Sequence, residues 1–235
     1  MTVKGLSLSY GERCLIKGVH ADFSCGELVS LIGRNGSGKS TLLRVLAGLN
    51  DNYGGEIIVD GDSQLLRSPE RARTIAFVNT SRIRIPNMRC ADIVALGRSP
   101  YTNWIGKMQP EDERIVRESL ATIGMADYAE RTLDTMSDGE CQRVMIARAL
   151  AQDTPIILLD EPTSFLDLPN RYSLMQLLAD LAHNSNKFIM LSTHELDIAL
   201  QCSDRIALID TPDLHVMDCE SAANSISKIF GISLR

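Results

Sequence analysis

Short apolar runs alternate with helical periodicities along most of this chain. Residues 4–10 alternate apolar and polar positions in the manner of a half-buried strand, and Gly11-Glu12-Arg13 reads as a turn. Leu28-Val29-Ser30-Leu31-Ile32 is a short strand-like run ending at a glycine-rich stretch. After it, Leu42, Leu43, Val45, Leu46 and Leu49 fall at helical spacing over residues 40–49. Residues 56–61 predict a strand closing in a turn, and residues 74–78 a further strand. From about Cys90 to Ala151 the pattern is mostly helical, with loops expected at Ser99-Pro100-Tyr101 and over residues 132–137. Within it, residues 111–123 set charges against a face of Ile115, Val116, Leu120 and Ile123. Two unbroken apolar strands follow, 156–159 and 188–191, separated by a helix over 170–183. Unbroken apolar strands linked by helices indicate a parallel sheet covered on both faces. A last strand is expected at 205–209, after which the tail carries no readable pattern. The expected architecture is α/β: one domain over 1–235 with a parallel-sheet core, a β-rich N-terminal region and a helical lobe at roughly 90–151.

Composition narrows the function classes. With 44% hydrophobic and 23% charged residues, the 235-residue chain has ordinary globular make-up. Its formal net charge of -6 tilts against nucleic acid as the main partner, since phosphate binding favours a basic face. No apolar run approaches the roughly 18 residues needed to cross a bilayer. The N-terminus lacks the charged-then-apolar layout of a signal peptide. A cytosolic location is expected, with any membrane role coming through a partner. The six cysteines are scattered without zinc spacing, which leads us to expect reduced thiols.

Two motifs carry the chemistry. Gly33-Arg34-Asn35-Gly36-Ser37-Gly38-Lys39-Ser40, followed by Thr41, fits G-x-x-x-x-G-K-[ST] between a predicted strand and a predicted helix. Glycines let the backbone curl so that successive N–H groups face a phosphate, and the helix start adds its positive dipole end. Lys39 can reach the outer phosphates, and the Ser40 hydroxyl can ligate Mg²⁺. The buried run Ile156–Leu159 leads straight into Asp160-Glu161, at the strand end where open α/β sheets bind ligands. Asp160 suits Mg²⁺, and Glu161 suits activation of the attacking water. A carboxylate pair at a strand end is more often a solvated turn. The phosphate-binding loop 120 residues upstream reverses that balance.

With these in place, the stretch Met136-Ser137-Asp138-Gly139-Glu140 and its following helix resembles the signature segment of ABC transporter nucleotide-binding subunits. Thr163-Ser164-Phe165-Leu166-Asp167 looks like the D-loop of that family, His194 like its switch histidine, and Tyr10 like its adenine-stacking aromatic. The resemblance covers nearly the whole chain with the motifs in order. It implies an ATPase using ATP and Mg²⁺, built as a head-to-tail homodimer. Each of two ATP molecules would lie between the phosphate loop of one copy and Ser137 and Gly139 of the other. A helix start capped by Ser137 is a physically sensible anion site. Taken alone, Asp138 reads as simple helix capping, and Tyr10 packs in a core as often as it stacks on a base.

Departures from the family pattern matter. The signature segment usually reads Leu-Ser-Gly-Gly-Gln, so Asp138 and Glu140 add two carboxylates beside a phosphate of the partner's ATP. They should weaken closure unless they point away. The family's Q-loop glutamine falls on Thr80, which can offer an oxygen to Mg²⁺ with less reach. Residues 92–101, Asp92-Ile93-Val94-Ala95-Leu96-Gly97-Arg98-Ser99-Pro100-Tyr101, look like the matching stretch in importers of iron–siderophore complexes, haem and vitamin B12. That similarity implies integral-membrane permease subunits and, through them, an extracytoplasmic binding protein. The chain itself would sit peripherally on the cytoplasmic face of a bacterial inner membrane. The rival reading is a soluble, non-transport ABC ATPase, such as one serving iron–sulfur cluster assembly. Proteins of this family that act on DNA or ribosomes carry coiled-coil insertions or tandem cassettes, and neither pattern is seen here.

Overall fold

The computed structural model describes residues 1–80, 85–102 and 106–231. Two sheets organise them. In the first, β1 (Thr2–Tyr10) pairs antiparallel with β2 (Arg13–Asp22) on one side and β4 (Tyr53–Ile58) on the other. The strand β2 escapes sequence reading because register shifts punctuate its pairing with β1 and break the two-residue alternation that marks a strand.

The second sheet has the order β5-β6-β7-β3-β8-β9. Its members are β3 (Leu28–Gly33), β5 (Ile75–Val78), β6 (Ile156–Asp160), β7 (Phe188–Ser192), β8 (Arg205–Asp210) and β9 (Asp213–Asp218). The first five are parallel, as the unbroken apolar runs predict, and β9 adds an antiparallel edge. Here the unreadable tail resolves into β9 and the helix α8 (Cys219–Phe230), capped by the Asp218 side chain on Ser221 N–H at 2.8 Å. The half-polar edge strand buries one face weakly, and its short pattern is lost between two turns.

The remaining helices are α1 (Lys39–Leu46), α2 (Arg71–Thr74), α3 (Cys90–Ala95), α4 (Pro110–Thr122), α5 (Asp138–Ala151), α6 (Leu168–Asn184) and α7 (Leu196–Cys202). Two expected loops are instead 3-10 turns, Leu96–Tyr101 and Leu133–Thr135. Such turns hold by local bonds too short-ranged to leave a periodic signature. Ser99 donates to the Leu96 carbonyl at 2.7 Å, and Thr135 to that of Thr132 at 2.8 Å. In the helical lobe, buried Arg98 pairs with Asp112 at 2.9 Å and donates to the Ala151 carbonyl at 2.9 Å. The pair ties the N-terminus of α4 to the C-terminal end of α5.

Alternate residues along the central strands feed different cores. Ile157 and Leu159 pack with α3, α4, α5 and α6, whereas Ile156 and Leu158 pack with α1 and the first sheet. Register then decides the site. Asp160 lies opposite Ser192, Ser192 opposite Leu31, and Val78 opposite Leu159. The C-terminal ends of β3, β5, β6 and β7 therefore share one edge, and the residues that follow each strand emerge together.

Candidate nucleotide-binding site

At that edge lies a cleft of about 430 Å³, walled by Tyr10, Arg13, Leu15, Asn35, Gly36, Gly38, Lys39, Ser40, Thr41, Glu161 and His194. The loop after β3 turns through Gly38 in the left-handed region (φ 102°), and a Cβ there would press to 3.0 Å from Leu15. Only glycine fits both demands. Lys39 is buried, and its Nζ donates to the Gly33 carbonyl at 2.9 Å and toward that of Arg34 at 3.4 Å. Burial lowers its pKa from the ordinary lysine value, opposed by the charges of Glu161 and Asp160. A buried cation lining an open cleft is suited to bind a phosphate.

The other loop positions divide. Asn35, Ser40 and Thr41 face the cleft. Arg34 and Ser37 turn their side chains away: Arg34 donates to the Ile229 carbonyl at 2.7 Å, and Ser37 is buried beneath the loop against Gly33. Those two positions contribute backbone rather than side chains.

Ser40 donates to Asp160 Oδ1 at 3.0 Å, and so does Ser192 at 2.6 Å. A carboxylate and a hydroxyl meeting at a strand end are the hard oxygen donors that Mg²⁺ accepts, so the residues present fit that ion. Ser192, wholly buried, also accepts the Glu161 N–H at 2.9 Å. Glu161 itself stands at φ 47°, an uncommon conformation for a side-chain-bearing residue, which the Ser192 bond helps to hold. Its carboxylate makes a close contact with His194 Nε2 and accepts from Ser164 Oγ at 3.2 Å. Thr80 Oγ1 donates to the Asp160 backbone carbonyl at 2.9 Å. It therefore stands beside the acidic pair with its proton committed to the backbone, and residues 81–84 beyond it lie outside the described set.

Tyr10 is 77% exposed, so it is no core aromatic but a free ring on the cleft wall. Across the β1–β2 turn it pairs with Arg13, a residue that sequence reading passed over as turn material. The Arg13 side chain forms no ion pair or hydrogen bond among the described residues. A side-chain carbon on Gly36 would lie 3.8 Å from its guanidinium, so it is a spare cation at the phosphate loop. Ser192 was likewise missed, because a serine at a strand end carries no sequence signal of its own.

Ser137 and Gly139 are not in this cleft. They line a separate one of about 540 Å³ with Tyr128, Asp138, Glu140, Arg143, Phe165 and Asp167, sharing no residue with the first. Ser137 caps α5, as its sequence position implies. A Cβ on Gly139 would meet Leu166 at 3.0 Å and the Phe165 carbonyl at 3.1 Å, so glycine lets the signature turn lie against the D-loop stretch. That stretch is braced behind by Glu195, which pairs with Arg171 at 3.2 Å and accepts from Thr163 Oγ1 at 3.1 Å.

A phosphate-binding loop, an acidic strand end and a parallel sheet with both faces covered define a P-loop nucleotide-binding protein. Comparison with known proteins narrows this. Residues 16–164 match the ABC transporter family. An uncharacterised ABC transporter ATP-binding protein of Methanocaldococcus jannaschii is 38% identical over 89% of this chain and 72% of its own length. A petrobactin import ATP-binding protein of Bacillus anthracis is 36% identical over 92% of this chain and 79% of its own. Among solved structures, a transporter described as of the metal-chelate ABC type, in an inward-facing conformation, superposes with a TM-score of 0.86 at 27% identity, covering 99% of this chain and 89% of that one. A dimeric ATP-binding cassette in a post-hydrolysis state with ADP and Pi bound superposes at 0.78 with 30% identity, covering 93% and 98%. The chain belongs to the ABC transporter ATP-binding family and is an ATPase of that kind. Among the described residues no helix is long and apolar enough to cross a membrane.

Proposed function

We propose that this chain, as one domain over 1–235, powers an ABC importer of iron chelates or the related haem and cobalamin cargoes. Two copies would work head to tail beneath integral-membrane permease subunits, peripheral to the cytoplasmic face. An extracytoplasmic binding protein would deliver cargo to the permeases. The observation that carries the ATPase site is the meeting of Lys39, Ser40, Glu161 and His194 at one sheet edge. The cargo class is supported by relatives named for petrobactin, iron(3+)-hydroxamate and cobalamin import.

In this reading the Tyr10 ring stacks on adenine and the loop N–H groups from Asn35 to Thr41 take the phosphates. Lys39 places its charge between the outer two. Ser40 and Asp160 would hold Mg²⁺, with Thr80 beside them, and the ion would supply positive charge to the phosphates. The Glu161 carboxylate accepts a proton from the attacking water, and His194, in contact with that carboxylate, orients it and meets the γ-phosphate. No covalent intermediate is required, so positioning and charge carry the rate. Separation of the two clefts supports the homodimer: the phosphate loop and the capped helix start on one copy face different spaces, so Ser137 and Gly139 would complete the partner's site.

The test replaces Glu161 with Gln, loads ATP, and purifies the trapped complex from gently solubilised native membranes, with mass spectrometry of the co-purifying chains. Hydrolysis should fall by about 10²–10⁴-fold, the usual worth of a general base, while ATP is retained. A multi-span permease among the captured chains is the expected result. Soluble iron–sulfur scaffold proteins in its place would overturn the transport reading and leave the ATPase standing.

A further inference from the structure

The start of α5 carries a carboxylate that touches the very hydroxyl the partner's nucleotide would need. Glu140 Oε2 accepts from the Ser137 backbone N–H at 2.8 Å and from Ser137 Oγ at 2.8 Å, while Glu140 N–H donates back to Ser137 Oγ at 3.2 Å. This is a reciprocal capping box, and it accounts for the helix start. It also has a chemical cost. A serine hydroxyl owns one proton, and here that proton is given to an anion. Its acceptor lone pair is in turn partly used by Glu140 N–H. The carboxylate is firmly ionised: the Ser137 N–H and O–H, then the Tyr128 hydroxyl and the Arg131 charge, lower its pKa from the ordinary glutamate value.

A γ-phosphate oxygen arriving from a partner protomer seeks the same proton from Ser137. Two anions then compete for one donor, and the carboxylate holds it first. We propose that Glu140 is a positioning residue that sets the threshold for ATP-driven closure of the dimer, by holding the Ser137 hydroxyl until a bound γ-phosphate displaces it. This rests on the head-to-tail reading above and names a control element within it. The carboxylates of the signature segment therefore do not act alike. Asp138 lies in the same wall, whereas Glu140 reaches the phosphate-facing serine directly.

Glutamine at position 140 separates the capping role from the anionic one. It preserves the capping box, because its carbonyl still accepts the Ser137 N–H. A neutral acceptor binds the hydroxyl about half as strongly as a charged one, so release of the proton becomes easier by about tenfold. Aspartate provides the complementary case. It keeps the charge and, one methylene shorter, withdraws it from Ser137 Oγ.

The experiment measures ATP-dependent dimerisation by analytical ultracentrifugation in Glu161→Gln protein, alone and combined with E140Q or E140D. ATP affinity of the monomer at low protein concentration and thermal midpoints are recorded alongside. E140Q is expected to lower the ATP concentration for half-maximal dimerisation about tenfold, with monomer affinity unchanged and the thermal midpoint slightly lowered by loss of the ionised cap, and E140D should shift dimerisation the same way. Unchanged closure in E140Q overturns the proposal. So does E140D closing like the parent, which would make bulk charge, not capture of the hydroxyl, the operative effect. Should the Glu161→Gln parent form no dimer at any ATP concentration, the head-to-tail reading itself falls, and this inference with it.

Discussion

Ser192 offers the sharpest quantitative test of the site, because its hydroxyl does two jobs at a position with no access to water. It donates to Asp160 Oδ1 at 2.6 Å and accepts from the Glu161 N–H at 2.9 Å, and the residue is 0% exposed. Ser192→Ala removes both bonds at once. The lost bond to a carboxylate is worth about 1.5–3 kcal/mol, and an orphaned buried N–H costs about 1–3 kcal/mol more. Some relaxation is expected, so the net destabilisation should be about 3 kcal/mol, a large share of the ~5–15 kcal/mol typical of a folded domain. Ser30 provides an internal reference in the same sheet. It too is fully buried, but among the described residues its hydroxyl meets only Ser203 Oγ, at 2.7 Å, so Ser30→Ala should cost about 1 kcal/mol. Urea unfolding of the two variants and the parent gives the comparison directly.

The functional arm follows from the backbone. Glu161 holds a left-handed conformation at φ 47°, and the Ser192 bond is a direct restraint on its N–H. Freed of it, the carboxylate spends less time aimed into the cleft, and single-turnover hydrolysis should slow by about tenfold or more even where the protein is fully folded. Equal destabilisation by Ser192→Ala and Ser30→Ala, or an unchanged single-turnover rate in Ser192→Ala, would refute the reasoning.

Two further outcomes are expected. Arg13→Ala should raise KM for ATP several-fold with kcat nearly held, since a spare cation beside the phosphate loop contributes to binding more than to the transition state, and steady-state kinetics separates the two. The gap between parent and variant should narrow as salt is raised. The second concerns acid stability. Asp112 is held below the ordinary aspartate pKa by the Gln109 N–H and then by Arg98, so its pairing stabilises the fold above the unfolded-state value and is lost as pH falls through the lower folded one. Between neutral pH and that range, Asp112→Asn should be less stable than the parent, and the two unfolding curves should converge as pH drops below about 4.

Much of this molecule is legible in one dimension, and the reasons are local. The phosphate loop is a contiguous segment whose chemistry depends on glycines and a lysine at fixed offsets, so residues 33–41 announce themselves. Unbroken apolar strands at 156–159 and 188–191 report burial on both faces, which implies the parallel sheet. Order and spacing of the signature, D-loop and histidine segments carry the family resemblance. Patterns that span fewer residues, or that a bulge interrupts, do not survive: β2, β9 and the two 3-10 turns are missed on those grounds.

What tertiary structure alone decides is adjacency. Nothing in the sequence places Ser192 beside Asp160, since they stand 32 positions apart and only the β6–β7 register brings them opposite one another. Arg13 becomes a cleft residue because a two-residue turn returns the chain beside Tyr10, and Arg34 leaves the cleft because a carbonyl of α8 lies within its reach. The substitution at Glu140 is visible as a departure in the sequence. That its carboxylate takes the Ser137 proton is visible only once the helix start has formed, for a hydrogen bond is a fact of geometry and a chain written in order contains none.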